Sequence, residues 1–173
     1  MIKIRAGIIL IEHEEILLVR HNVSARKYHP EYDAKPTAVK DYWVFPGGGV
    51  LQGETLETCA KRETLEETSI KVEIGPLLFL GESIWPDGER HIINFFFEAK
   101  RIEGNVKKPR WTFLDEKYDE PAFLPLSKLD EIILMPDIKT YIKRLSKGET
   151  FRGIYLKNLW ESYTDVETKY GVE

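Results

Sequence analysis

Residues 46–70 read Pro46-Gly47-Gly48-Gly49-Val50-Leu51-Gln52-Gly53-Glu54-Thr55-Leu56-Glu57-Thr58-Cys59-Ala60-Lys61-Arg62-Glu63-Thr64-Leu65-Glu66-Glu67-Thr68-Ser69-Ile70. From Thr55 to Ser69 there is no Gly or Pro, and Thr55 suits the capping position of a helix that starts just after it. The spacing predicts a helix over 55–69. On a projection of about 100° per residue, Leu56, Cys59, Ala60 and Ile70 form an apolar stripe that should face the core. Glu63 and Glu67 fall within about 20° of Leu56, and Glu66 within about 20° of Cys59. Three carboxylates therefore share the apolar stripe. Buried carboxylates are costly unless paired or bound to a cation. Glu63 and Glu67, four residues apart, also repel each other, and Arg62 alone cannot neutralise three acids. Either the helix end is solvated, or a hard divalent cation with oxygen ligands resolves the conflict, which suits Mg²⁺ or Mn²⁺. The glycine run Gly47–Gly49 favours the second reading. It lets the backbone approach a ligand closely, and Gly-rich loops ahead of helices commonly bind anions.

Working outward, the Ile-rich segment 2–11 and residues 15–20 read as two strands joined through the polar Glu12-His13-Glu14,. Residues 41–45 form a short strand leading into the glycine run. Further strands are predicted over 71–80 and 91–99. Residues 121–126 read as an edge segment, because Pro121 and Pro125 exclude a central strand. A second helix over 137–147 follows Pro136 and stops before Gly148. Residues 21–40 and 100–120 are polar loops, the first too long for a plain connector. Strands interleaved with two helices predict a mixed α/β sandwich.

The chain has 173 residues, 25 Lys and Arg against 29 Asp and Glu, and a formal net charge of −4. That length and a 42% hydrophobic content fit one globular domain with a real core,. The acidic balance argues against a general binder of nucleic acid or of an anionic membrane. Cys59 is the sole cysteine, so an internal disulfide and a Cys-based zinc cluster are both ruled out,. The first residues lack the basic-then-apolar layout of a signal peptide, and no apolar run is long enough to span a bilayer. The expectation is a cytoplasmic protein. The charge is also local. Residues 48–70 carry five acids against two bases, whereas residues 20–40 carry five bases against two acids.

Taken together, these residues resemble the signature of the Nudix (MutT-like) hydrolases. That box is a Gly, five residues, a Glu, seven residues, then Arg-Glu, an apolar residue, any residue, Glu-Glu, any residue, Gly and an apolar residue. Here it runs Gly48, Glu54, Arg62-Glu63-Thr64-Leu65-Glu66-Glu67-Thr68-Ser69-Ile70. Every charged position matches. Thr64 replaces the usual apolar residue and Ser69 the usual Gly, which bears on packing and the helix exit rather than on metal ligation. The approach Tyr42-Trp43-Val44-Phe45-Pro46 is also similar to the family's. The resemblance implies an α/β/α sandwich with a mixed β-sheet, formed as a single domain over 1–173 with a C-terminal extension at about 148–173. It implies hydrolysis of a pyrophosphate bond in a nucleoside diphosphate linked to another group, either a (d)NTP, oxidised or not, or ADP-ribose. Trp85-Pro86 stands near where ADP-ribose-hydrolysing relatives carry a Pro, at an imperfect offset. Carried over by position, Glu63, Glu66, Glu67 and the Gly48 carbonyl would hold Mg²⁺, with Mn²⁺ a substitute. Arg62 would orient Glu63, with Glu54 as its ion-pair partner. A glutamate beyond the box often joins such a site as ligand or base; Glu120 is the first candidate and Glu116 the second.

Outside the box, Arg5 and Arg20 on strands and Arg26 and Lys27 in the 21–40 loop are candidates to contact phosphate, which Arg does well through its fork of donors. The alternative for each is a solvated strand end or a solubilising loop. Phe95, Phe96 and Phe97 alternate faces, so at least one is core; Phe95 is the candidate to stack on a base. The implied partner is a small nucleotide, with no nucleic acid and no membrane. The apolar tail residues Phe151 to Trp160 would pack on their own domain or on a second subunit in a homodimer. Two rivals remain. One is a nucleotide-binding regulator that keeps the fold without catalysis, against which the intact Arg-Glu and Glu-Glu pairs argue. The other is an isoprenoid diphosphate isomerase, which needs an active-site Cys nucleophile, whereas Cys59 sits in the helix.

Overall fold

Alternating apolar residues at the N-terminus form strand β1 (Ile2–Ile9), an inner strand of a five-stranded sheet. The computed structural model describes residues 1–22, 39–108 and 120–172. The sheet runs in the order β5 (Gly47–Gly49), β1, β7 (His91–Glu103), β6 (Lys71–Ile84) and β9 (Ile154–Asn158). β1 is parallel to β7 and β6 is parallel to β9, while β1–β5 and β6–β7 are antiparallel. A second, antiparallel sheet is built on β3 (Glu15–Asn22). β8 (Glu120–Pro125) lines one edge of it, and β2 (Ile11–Glu12) and β4 (Asp41–Val44) share the other. Helix α1 (Leu56–Thr68) covers one side with Ala6, Ile8, Leu17, Cys59, Ala60, Ile70 and Phe97. Helix α2 (Lys139–Ser146) and a short 3₁₀ turn (Leu126–Glu131) cover the other, packing on Ile9, Ile16, Leu18, Phe79 and Phe96. The fold is the expected mixed α/β sandwich.

Several boundaries differ from the sequence reading. The segment 2–11 is not one strand. The chain leaves the first sheet after Ile9, buries Leu10 at the crossing, and enters the second sheet at Ile11. β6 and β7 run longer than expected, to Ile84 and Glu103, because each supplies the other's antiparallel hydrogen-bond partners along most of its length,. The register shifts around Gly75-Pro76, where proline has no N–H for the ladder,.

The tail packs on its own chain. Phe151 is buried against Phe79 and Tyr141. β9 then adds to the sheet edge, and helix α3 (Tyr163–Tyr170) follows with a capping box formed by Ser162 and Asp165. α3 is tied to the start of α2 by polar contacts. The Lys139 ammonium donates to the Ile132 carbonyl at 2.6 Å and the Tyr170 hydroxyl at 2.8 Å, and that hydroxyl donates to Asp137 at 2.7 Å. Burial pulls the Lys139 ammonium below its ordinary pKa while Asp137 and Asp130 oppose that shift.

Helix α1 begins as expected, with the Thr55 hydroxyl accepting the Thr58 N–H at 3.1 Å. Its exit explains why the box usually ends in Gly. Ser69 is left-handed, at φ 63° and ψ 15°, so that its N–H closes the last turn on the Leu65 carbonyl. A side chain in that conformation costs about 1–2 kcal/mol. The Ser69 hydroxyl is buried and, among the described residues, has no hydrogen-bond partner. Ser69→Gly should therefore raise stability. Set against the greater freedom glycine gives the unfolded chain, the gain is about 0.5–1 kcal/mol, or roughly 2–3 °C in Tm. A thermal melt in which the variant melts at or below the wild type would contradict this account of the helix exit.

Candidate active site

The site is built where β5 lies on β1 and on the face of α1. At Gly47 and Gly48 no side chain fits between the neighbours, whereas Gly49 faces open space. A Cβ on Gly7 of β1 would sit 2.7 Å from the Pro46 carbonyl oxygen, and one on Gly47 would sit 2.6 Å from that of Ala6. At Gly48 a Cβ would overlap the Glu63 carboxyl group. Glu63 therefore packs directly on the Gly48 backbone. The Gly47 N–H donates to Glu67 Oε2 at 2.9 Å, and the Cys59 thiol donates weakly to the Gly48 and Gly49 carbonyls at 3.5 and 3.4 Å. On the β1 side, the Arg5 guanidinium donates to the Gly47 carbonyl at 2.9 Å.

Arg62 organises the acids. Its Nε and Nη2 donate to the two oxygens of Glu54 at 2.8 and 2.9 Å. Nη1 donates to Glu63 at 2.7 Å and to Glu66 at 3.2 Å, and Nη2 also reaches the Gly49 carbonyl at 3.1 Å. The side chains grade outward from Glu54 at 9% exposed and Glu63 at 14% to Glu66 at 40%. These ionic hydrogen bonds set the electrostatics. The Arg62 bond, with a further N–H from Leu51, holds Glu54 down to a pKa of about 2, and the same acids raise Arg62 above its ordinary value. Burial, with the nearby Glu54 and Glu63, pushes the Cys59 thiol up to about 11.

The acids do not lie on the core face itself. In the second half of α1 the buried positions are Thr64 and Thr68. Their hydroxyls bond the Ala60 and Thr64 carbonyls at 2.7 and 2.6 Å, so two polar residues fill the core position without leaving a donor unpaired,. Glu63 and Glu67 flank that face and turn toward the glycine strand, while the more exposed Glu66 meets Arg62. Among the described residues no three His, Cys, Asp or Glu side chains stand in a ready-made ligand cluster. The donor set does fit a hard divalent cation in kind, with three carboxylates and the carbonyls of the glycine strand within one small region.

The other candidate residues lie in different places. Arg20 is engaged by two acids, Asp41 at 2.7 Å and Glu120 at 4.0 Å. Glu120 is the residue opposite Arg20 in the β3–β8 register and is well exposed. Phe95 is half-buried and packs with the α1-side core, whereas Phe96 faces the other side and stacks edge-on with Phe45. Arg26, Lys27 and Glu116 lie outside the described residues. Sequence reasoning missed the Gly47 N–H as a support for Glu67 and the Cys59 thiol as a support for the glycine strand. The signal for Gly47 was the third glycine, one more than a tight turn needs.

Because its carboxylate sits at about 2 rather than the ordinary 4.5, Glu54 adds stability that is fully present above pH 4.5 and is lost as pH falls through 2,. Glu54→Gln should accordingly unfold at lower urea than the wild type at pH 7, and the gap between the two midpoints should narrow steadily below pH 4.5. A gap independent of pH would mean that the ion pair is not what Glu54 supplies.

Both the sequence and the fold are similar to those of known proteins. The family described as NUDIX domain matches residues 1–145. Nudix hydrolase 19, chloroplastic, of Arabidopsis thaliana is 35% identical over 71 residues, which is 38% of this chain and 16% of that protein. The crystal structure of a MutT protein from Bacillus halodurans superimposes with a TM-score of 0.63 at 21% identity, covering 90% of this chain and 88% of that one. An ADP-ribose pyrophosphatase from Streptococcus suis gives a TM-score of 0.60 at 15% identity, covering 88% and 98%. The box from Gly48 to Ile70, the folded arrangement around it and the match over residues 1–145 agree, and the chain belongs to the Nudix family.

Proposed function

We propose that this chain is a divalent-metal-dependent Nudix pyrophosphohydrolase that cleaves a nucleoside diphosphate linked to another group. The observation that carries the reading is the seating of Glu63 and Glu67 on the Gly47–Gly48 backbone while Arg62 fixes Glu63 and Glu66 from the side. A diphosphate repels an anionic nucleophile, and Mg²⁺ or Mn²⁺ at this site would offset that charge and acidify water. Glu63, Glu66, Glu67 and the Gly48 carbonyl would hold the ion. Arg62 keeps Glu63 in place, and Glu54, ionised down to low pH, keeps Arg62 in place. Arg5, Arg20, Arg26 and Lys27 would bind phosphate; Phe95, the sequence candidate for stacking on the base, packs instead with the α1-side core. Arg5 is the best placed of these, through its bond to Gly47.

Glu120 is the proposed outlying acid; its position opposite Arg20 puts it at the start of β8. The substrate is a (d)NTP or ADP-ribose. The unit is taken to be a single domain over 1–173, working in the cytoplasm and able to pair as a homodimer. No described helix is long and apolar enough to cross a membrane.

The test is a nucleotide panel with Mg²⁺ and identified products, run on wild type and Glu67→Gln. The variant keeps an acceptor for the Gly47 N–H but loses the charge. Turnover should fall by about 10²-fold or more and metal affinity should drop, with the melting temperature nearly unchanged. Chelation should abolish wild-type turnover. An unaltered rate in Glu67→Gln would sink these roles, and nucleotide binding with no product would support a non-catalytic regulator.

A further inference from the structure

The tail beyond residue 145 lies outside the family match, yet it reaches the face of the sheet that carries Arg5. Cross-strand partners share a face, so Arg5, Asn94 and Gly81 form one row across β1, β7 and β6,. Lys3, Ile92 and Ser83 form the next. Phe96 lies on this face beneath Phe45, just ahead of the glycine strand. At the far end of the first row the Leu159 side chain lies over Gly81, so closely that a Cβ there would overlap it. With strands about 4.8 Å apart, Leu159 is roughly 10 Å across the sheet from Arg5.

The next tail residue, Trp160, packs on Trp85, with ring centroids 6.2 Å apart and planes at 55°. The Arg90 guanidinium sits over the Trp85 ring at 5.4 Å. The tail is fixed here by its own hydrogen bonds. The Asn158 side-chain carbonyl accepts the N–H groups of Ile84 and Trp160 at 3.0 and 3.1 Å, and the Leu159 N–H donates to the Glu82 carbonyl at 2.6 Å. Both tryptophans remain partly exposed. The strip between Arg5 and this pair is therefore basic at one end, through Lys3 and Arg5, and aromatic with a further cation at the other. Its basic end connects through Gly47 to Glu67.

We propose that Trp160 of the C-terminal tail is a substrate-binding residue that, with Trp85, forms the platform on which the nucleobase of the substrate stacks. A base offers a π-face to an indole and needs no particular hydrogen-bond pattern. The anionic part of the same molecule would lie toward Arg5 and the glycine strand. The proposal rests on reading the chain as a nucleotide pyrophosphohydrolase, and it adds a residue that the family match does not contain.

Calorimetric titration of the full chain with Mg²⁺ tests it, using ADP and, as a probe without a base, inorganic pyrophosphate. Trp160→Ala should weaken ADP by about tenfold and leave pyrophosphate unchanged, and Trp160→Phe should recover most of the loss. Unchanged pyrophosphate binding and a melting point close to the wild type would report an intact fold. Equal ADP affinity in Trp160→Ala and wild type overturns the proposal. So does an equal loss for both probes, which would make Trp160 a structural support. If the wild type hydrolyses no nucleotide but ADP still binds through Trp160, the catalytic reading fails and the platform stands.

Discussion

The guanidinium of Arg62 is the constraint on which the site depends. Its planar fork spends two donors on Glu54, shares one nitrogen between Glu63 and Glu66, and fixes the Gly49 carbonyl as well. No other side chain can do this. A lysine carries its charge at a point and cannot meet both oxygens of Glu54 while reaching the others. Without the fork, Glu63 would be a largely buried anion pressed against Gly48 with no compensating donor, which proteins rarely tolerate,. The glycine strand is held by the same group. Helix, acids and strand are thus one electrostatic unit, and the absence of side chains from Gly47 and Gly48 is what lets the unit close.

Much of this unit is legible in the sequence because it is local. The Thr55 cap, the helix without Gly or Pro, and the spacing of Glu54, Arg62, Glu63, Glu66 and Glu67 all lie within one short stretch. The projection nonetheless assigned the wrong core face to the end of the helix. It ranked Thr64 and Thr68 as polar, whereas a threonine that returns its hydroxyl to the preceding turn presents a methyl group outward and can be buried,. The departure at Ser69 concerned geometry, as expected, and the left-handed backbone gives the reason.

Non-local features were less legible. The break at Leu10 depends on two different sheets receiving the same run of isoleucines. The pairing of Arg20 with Asp41 depends on the β3–β4 register and not on proximity in the chain. The tail had the apolar residues of a packed segment but nothing to say what it packs on. Phe151 shows the answer: it meets Phe79 of β6 and Tyr141 of α2, so the hydrophobic core continues past the point where the family match stops. Asp137, Lys139 and Tyr170 then close a polar contact between segments whose sequences give no hint of each other.

The parallel pairing of β1 with β7 has a consequence for how the protein comes into being. Ile2 is matched to His91 and Ile9 to Glu98, so the N-terminal strand meets its long parallel neighbour late, well after the short glycine strand on its other side has been made. The acid-bearing helix emerges earlier, but at 13 residues it draws its stability mainly from packing on the sheets,. The glycine strand that it rests on cannot be fixed until β1 has settled into its sheet. Such long-range closure is slow and comes late in folding. The acids of the helix and their partner Arg62 are therefore made together, ahead of the central strands that complete the pocket.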